Sequence, residues 1–116
     1  MSKSIVKAKS QKFAFRIVRL YKHLQSEKKE FVLSKQVLKS GTSIYANLSE
    51  AECAQSRKDF FAKSYIAYKE SSETLSWLEL LRSGDYLTQQ QFDSMYSDCK
   101  EIVKMLSAIT KHSTAN

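Results

Sequence analysis

The chain has 116 residues, with 19 Lys and Arg against 12 Asp and Glu, a formal net charge of +7 at neutral pH. That length holds one ordinary core, and an apolar content of 42% argues against wholesale disorder. The absence of Pro and the presence of only two Gly leave few of the residues that build hairpins or bring a backbone close to phosphate, which excludes an all-β fold and a glycine-rich nucleotide-binding domain.

Residues 1–10 lack a strong apolar period and are expected to form a flexible basic arm, followed by a bundle over 11–112 and a polar tail over 113–116. The first convincing helix places Phe13, Ile17, Leu20, Tyr21 and Leu24 on one face. Lys12, Arg16, Arg19 and His23 repeat with nearly the same spacing on an adjacent face, so a basic stripe flanks the expected core. The polar run from Ser26 to Glu30 reads as a turn.

A second helix is expected from between Phe31 and Ser34 to about Ala54, with Leu33, Val37, Gly41, Ile44, Leu48 and Ala51 facing inward. Gly41 costs about 1 kcal/mol relative to Ala in a helix, so close approach of a neighbouring helix is the expected compensation, with a local kink as the other option. Ser43, Asn47, Glu50 and Ala54 form a separate polar row.

Ser56 and Asp59 have capping-box spacing and predict the start of a third helix that runs to about Ser83. Its main face is Phe60, Phe61, Ser64, Tyr68, Ser71, Ser72, Leu75 and Leu78. A second apolar strip, Ile66, Trp77, Leu80 and Leu81, is expected to be buried between subunits, because a helix apolar on two sides must bury both or expose one. Gly84 is expected to end the helix in a left-handed cap. Thr88 and Gln91 then open a fourth helix carrying Phe92, Met95, Tyr96, Cys99, Ile102, Val103, Leu106 and Ile109, ending near Lys111 and His112. Four amphipathic helices with short loops predict an all-α, antiparallel up-down-up-down four-helix bundle.

The charge is uneven: the segment through Lys29 sums to +8 and the remainder to −1. Such a local excess attracts a polyanion or serves as a solvated arm. Two cysteines, Cys53 and Cys99, do not make a disulfide framework, and no segment reads as a signal peptide or a membrane span, so a reducing cytoplasm and no membrane contact are expected. HExxH, GxGxxG, Walker-type and paired-cysteine zinc motifs are all missing, and neither His23 nor His112 follows a Glu by three residues. No metal, cofactor or catalytic activity is expected; convergence of Glu50, Glu70 and Glu73 with a histidine would be needed to reverse that reading.

The segment from Ser43 to Ala51, with Asn47 and Glu50, followed by Ser56 to Phe60 with Asp59, resembles the signature of the bacterial 23S rRNA intervening-sequence protein family. The resemblance runs from about Phe13 to Leu106. It departs where the family commonly has proline at the position of Tyr45, glycine at the position of Ala51, and an arginine between the two motifs that neither Cys53 nor Ala54 matches. The resemblance implies a small four-helix bundle. The related accessory proteins of diversity-generating retroelements form five-subunit rings that bind nucleic acid and reverse transcriptase, which implies a homopentamer here. The expected function is therefore noncatalytic binding of structured RNA or DNA through Lys12, Arg16, Arg19 and His23, the alternative being a homo-oligomeric structural or protein-interaction module without nucleic acid affinity.

Overall fold

In the computed structural model, which describes the backbone of residues 2–114 and the side chains of residues 5–111, four helices follow one another. They are α1 (Ser2–Ser26), α2 (Leu33–Glu52), α3 (Arg57–Ser83) and α4 (Gln89–Thr114). Each packs on its sequence neighbour and α4 closes back on α1, so the chain runs up-down-up-down around one core, with the α1–α4 seam the thinnest. The bundle measures 46 × 21 × 20 Å.

The expected flexible arm is helix as far as it is described. Val6 and Ser10 are buried and continue the stripe of Phe13, Ile17, Leu20 and Leu24 toward the amino end. Ser10 interrupts the hydrophobic pattern without interrupting the packing, which is why the period is hard to see there. Lys7 bonds Glu52 of α2 at 2.6 Å and Lys9 pairs with Glu101 of α4, so the same segment is held from two sides. At the other terminus α4 runs past 112 to Thr114, while residues 115–116 of the expected tail lie outside the described residues.

At Gly41 α1 and α2 approach closely. A methyl group there would stand 2.8 Å from Cγ1 of Ile17, a β-branched residue with no exposed surface. Glycine offsets its helix-propensity cost by permitting that approach.

Local chemistry fixes the helix ends. Ser56 Oγ accepts from Asp59 N–H at 3.0 Å, and Thr88 and Gln91 exchange reciprocal bonds of 3.1 and 2.9 Å, as the capping boxes require. Gly84 does not take the expected left-handed cap; its φ is −86°. The left-handed residue is Asp85, at φ 64°, and the N–H groups of Asp85 and Tyr86 donate to the carbonyls of Arg82 and Leu81, a Schellman closure shifted by one residue.

The start of α2 holds a feature the sequence reading passed over. The buried Glu30 carboxylate turns back over the helix and accepts from Ser34 N–H at 2.6 Å, Leu33 N–H at 3.0 Å and Val32 N–H at 3.3 Å. Burial pushes this carboxyl up, but the hydrogen bonds to its charged form outweigh burial and hold it below its ordinary value of 4.5.

Leu81, expected on the outer strip of α3, is fully buried among the core side chains of the bundle. The buried face of α3 is Ser64, Ala67, Ser71, Thr74, Leu75, Leu78 and Leu81, a regular helical stripe whose first half is built of small and hydroxyl-bearing residues. Ser40 of α2 accepts from Thr74 Oγ1 at 2.9 Å across that contact.

Candidate nucleic-acid interface

The buried stripe of α1 leaves the other side of the helix outward, and the sequence places Lys12, Arg19 and Lys22 there together with Phe15 and Val18. Phe15 is 53% exposed and Val18 41%. None of the three cations makes an ion pair among the described residues, so each presents its full charge to solvent.

Arg16 behaves differently from the other members of its stripe. Its Nη1 donates to Asp98 Oδ2 at 2.5 Å and its Nη2 to Ser94 Oγ at 2.8 Å, which fastens α1 to α4. Lys9 is likewise committed to Glu101, whose hydrogen bond and charge hold the amine above its ordinary range. The thinnest seam of the bundle is thus bridged by charge-assisted contacts.

Arg16, Arg19 and His23 line one shallow groove of about 250 Å³ with Leu20, Leu87, Gln91 and Met95, so three of the four expected binding residues share a surface. Lys12 lies outside that groove, one helical turn toward the amino end from Arg16. His23 is half-buried, and its Nε2 is buried with no hydrogen-bond partner.

Phe15, Val18 and Ile5, all exposed, are apolar residues that the core stripe of α1 does not account for. On a helical projection Phe15 lies opposite Phe13, Ile17 and Leu24 and Val18 and Ile5 fall outside their stripe, the signal that would have found them. Mixed cations and an exposed aromatic ring form a surface that can pair with phosphate and also offer a stacking plane.

On α3, Ile66 and Leu80 are exposed, at 39% and 47%, and helical geometry puts them on one face with Trp77. Trp77 is half-buried and packs against the core, with its Nε1 donating to Glu73 Oε1 at 3.2 Å. The strip therefore divides: Leu81 belongs to the interior, Trp77 to the boundary, and Ile66 and Leu80 to the surface.

The motif residues build the corner between α2 and α3. Asn47 Nδ2 donates to the carbonyl and hydroxyl of Ser43, both at 2.9 Å, and Glu50 pairs with Lys63 at 3.1 Å. Asp59 Oδ2 accepts from Gln55 N–H at 3.3 Å, while Phe60 packs against the core and meets Phe61 edge-on, their ring centroids 5.3 Å apart. These are contacts within one helix or across one turn, which a stable corner needs.

No cluster of three or more metal-type ligands occurs among the described residues. Glu70 is shifted upward by burial and by Glu73, against the pull of Lys39 and Lys69. Burial, with a smaller contribution from Asp98, pushes the Cys99 thiol up to about 12, which keeps it protonated and unreactive at neutral pH. No described helix is long and apolar enough to cross a membrane.

A family model described as 23S rRNA-intervening sequence protein matches residues 2–108. The chain belongs to that family. It is also similar to a crystal structure, at 1.70 Å resolution, of a protein with unknown function from the S23 ribosomal protein family of Bacteroides thetaiotaomicron VPI-5482. The two are 56% identical, the match covers 96% of this chain and 99% of that one, and the TM-score is 0.93. No curated protein matches the chain. Membership carries the four-helix bundle as the fold.

Proposed function

We propose that this family member is a noncatalytic, self-associating bundle that binds structured RNA or DNA through the outer face of α1. The observation that carries the reading is the set of three cations, Lys12, Arg19 and Lys22, without an ion pair among the described residues and interleaved with exposed Phe15. Phosphate attraction sets affinity in such an interface and the aromatic plane adds contact with an unpaired base. Arg16 supports the surface by holding α1 on α4, and His23 lines the adjoining groove.

The test is binding to labelled single-stranded, duplex and hairpin RNA and DNA over a salt series. Affinity that falls steeply with salt supports the phosphate mechanism. Absence of binding at low salt to every probe rejects it.

Self-association through α3 rests on a separate observation, the exposure of Ile66 and Leu80 on one helix face. Burying such side chains between copies removes apolar surface from water at about 25 cal/mol per Å². The resemblance to five-subunit rings makes a homopentamer the assembly to test, by mass measured across a concentration series. If assembly is present and nucleic acid binding absent, the protein is a structural or protein-interaction module.

A further inference from the structure

We infer that, given association through α3, the contact joins unlike surfaces: the outer strip of α3 in one copy docks into the groove between α3 and α4 of the next, and copies joined this way close into a ring.

The strip carries acids as well as apolar side chains. Glu70 and Glu73 lie between the exposed Ile66 and Leu80, and neither makes an ion pair among the described residues. The groove has the opposite charge. It holds about 560 Å³, and its wall includes Tyr68 of α3 with Lys100, Val103, Lys104, Ala108 and Lys111 of α4 and no acid among the described residues. Lys100 and Lys104 are both exposed, stand one turn apart on one face of α4 and make no ion pair among the described residues, so they repel each other in a free subunit.

The two surfaces also sit at the same height. The Cys99 thiol of α4 donates to the Ser71 carbonyl of α3 at 3.4 Å, so these residues are level in two antiparallel helices. Each helix rises about 1.5 Å per residue in its own direction, which puts Glu70 level with Lys100 and Ile66 level with Lys104. A ring whose axis runs along the bundle moves no copy up or down, so the same levels hold between neighbours. Glu70 then meets Lys100, and Ile66 meets Val103, Tyr68 and the stem of Lys104.

A strip paired with its own kind does worse. Residue 73 is the midpoint between Ile66 and Leu80, so a two-fold pairing of strip on strip sets Glu73 against the same residue of the other copy. Like charges brought face to face oppose association. Strip and groove occupy adjoining sides of the bundle, so each copy is turned relative to the last and the chain of contacts curves toward closure. Because α1 packs on α2 and α4 but not on α3, its outer face stays outside this contact.

The test uses the full-length protein, with mass followed by light scattering over a concentration series and helical content by circular dichroism as the folding control. Wild type is expected to assemble. Lys100→Glu with Lys104→Glu spoils the groove and keeps the strip, whereas Leu80→Asp spoils the strip and keeps the groove. Each alone should fall to the mass of one subunit. Mixed in equal amounts, they should form a species of two subunits and no larger, because one intact strip meets one intact groove and the other two surfaces cannot pair. Lys100→Gln with Lys104→Gln replaces the groove variant if its helical content falls. A groove variant that assembles as wild type does, or a mixture of folded variants that stays at one subunit or grows past two, would overturn the inference while association through α3 stands. A wild type that remains a single subunit, or a Leu80→Asp variant that assembles fully, would remove association through α3 and the inference with it.

Discussion

Glu30→Gln isolates one carboxylate at the entrance to α2. The first N–H groups of a helix have no partner within it, and here three of them converge on a side chain only 8% exposed. Gln offers one oxygen where Glu offers two. If that oxygen keeps Ser34 N–H, the amide group faces the N–H groups of Leu33 and Val32, two donors against a donor. Loss of a cap costs about 0.5–2 kcal/mol, and bonds to a charged acceptor lie at the upper end, so a loss of about 2 kcal/mol is expected. For a domain of this size that is a fall in melting temperature of roughly 8 °C. The pH dependence distinguishes a cap from generic damage. Because the folded-state carboxyl is held below its ordinary value of 4.5, its contribution is present above that value and is lost as pH falls through the folded pKa. Urea denaturation of both proteins from pH 7 to pH 3 should therefore show the wild-type advantage shrinking toward zero on the acid side. A gap that stays constant with pH would refute the carboxylate reasoning, even if the variant is destabilised.

Gly41→Ala gains about 1 kcal/mol of helix propensity but forces Ile17 to move in a packed core, which costs about 1–3 kcal/mol; the net expectation is destabilisation by about 1 kcal/mol in urea unfolding. Leu80→Asp, alone or with Ile66→Asp, should lower the mass measured by light scattering while leaving helical content unchanged, because both residues are exposed on the single bundle. A mass unchanged from an oligomeric wild type would move the contact off α3. Lys12→Gln and Arg19→Gln should each weaken nucleic acid binding and reduce the magnitude of the log-affinity versus log-salt slope by about 1. Arg16→Gln should change that slope much less and instead loosen the α1–α4 seam, seen as faster amide exchange in α1, because its guanidinium is bonded to Asp98 and Ser94.

The helices were legible because each repeats its apolar residues at helical spacing, and the two capping boxes because their partners lie three residues apart. What escaped depends on packing between helices. Ser10 hid the amino-terminal extension of α1, since a small polar residue scores as an interruption yet fits where helices approach closely. The same bias acts on α3: Phe60, Phe61 and Tyr68 outweigh Ala67 and Thr74 in hydrophobicity although the latter two are buried, and Leu81, which continues an outer apolar strip in sequence, completes the buried stripe. Glu30 looked like one charge in a polar turn. Its role depends on the chain folding back through a left-handed Lys29, at φ 53°, which no apolar pattern encodes.

The candidate interface shows the same limit in its electrostatics. A local sum of +8 counts every cation through Lys29 as available, yet Lys7, Lys9 and Arg16 are paired with Glu52, Glu101 and Asp98, which lie in α2 and α4. The acids that neutralise the segment are thus far away in sequence and adjacent in the fold. Among the described residues Lys28 and Lys29, in the turn beside Glu27, and the outward Lys12, Arg19 and Lys22 of α1 remain, and three phosphate contacts from the outer face of one copy would give only a shallow salt dependence and weak binding. Several copies held together would present the same three cations repeatedly along one polyanion, raising affinity through effective concentration without any new contact in the subunit. Nucleic acid binding through α1 and self-association through α3 are for that reason compatible halves of one mechanism, since the exposed strip of one helix would supply the multiplicity that the thin charge of the other requires.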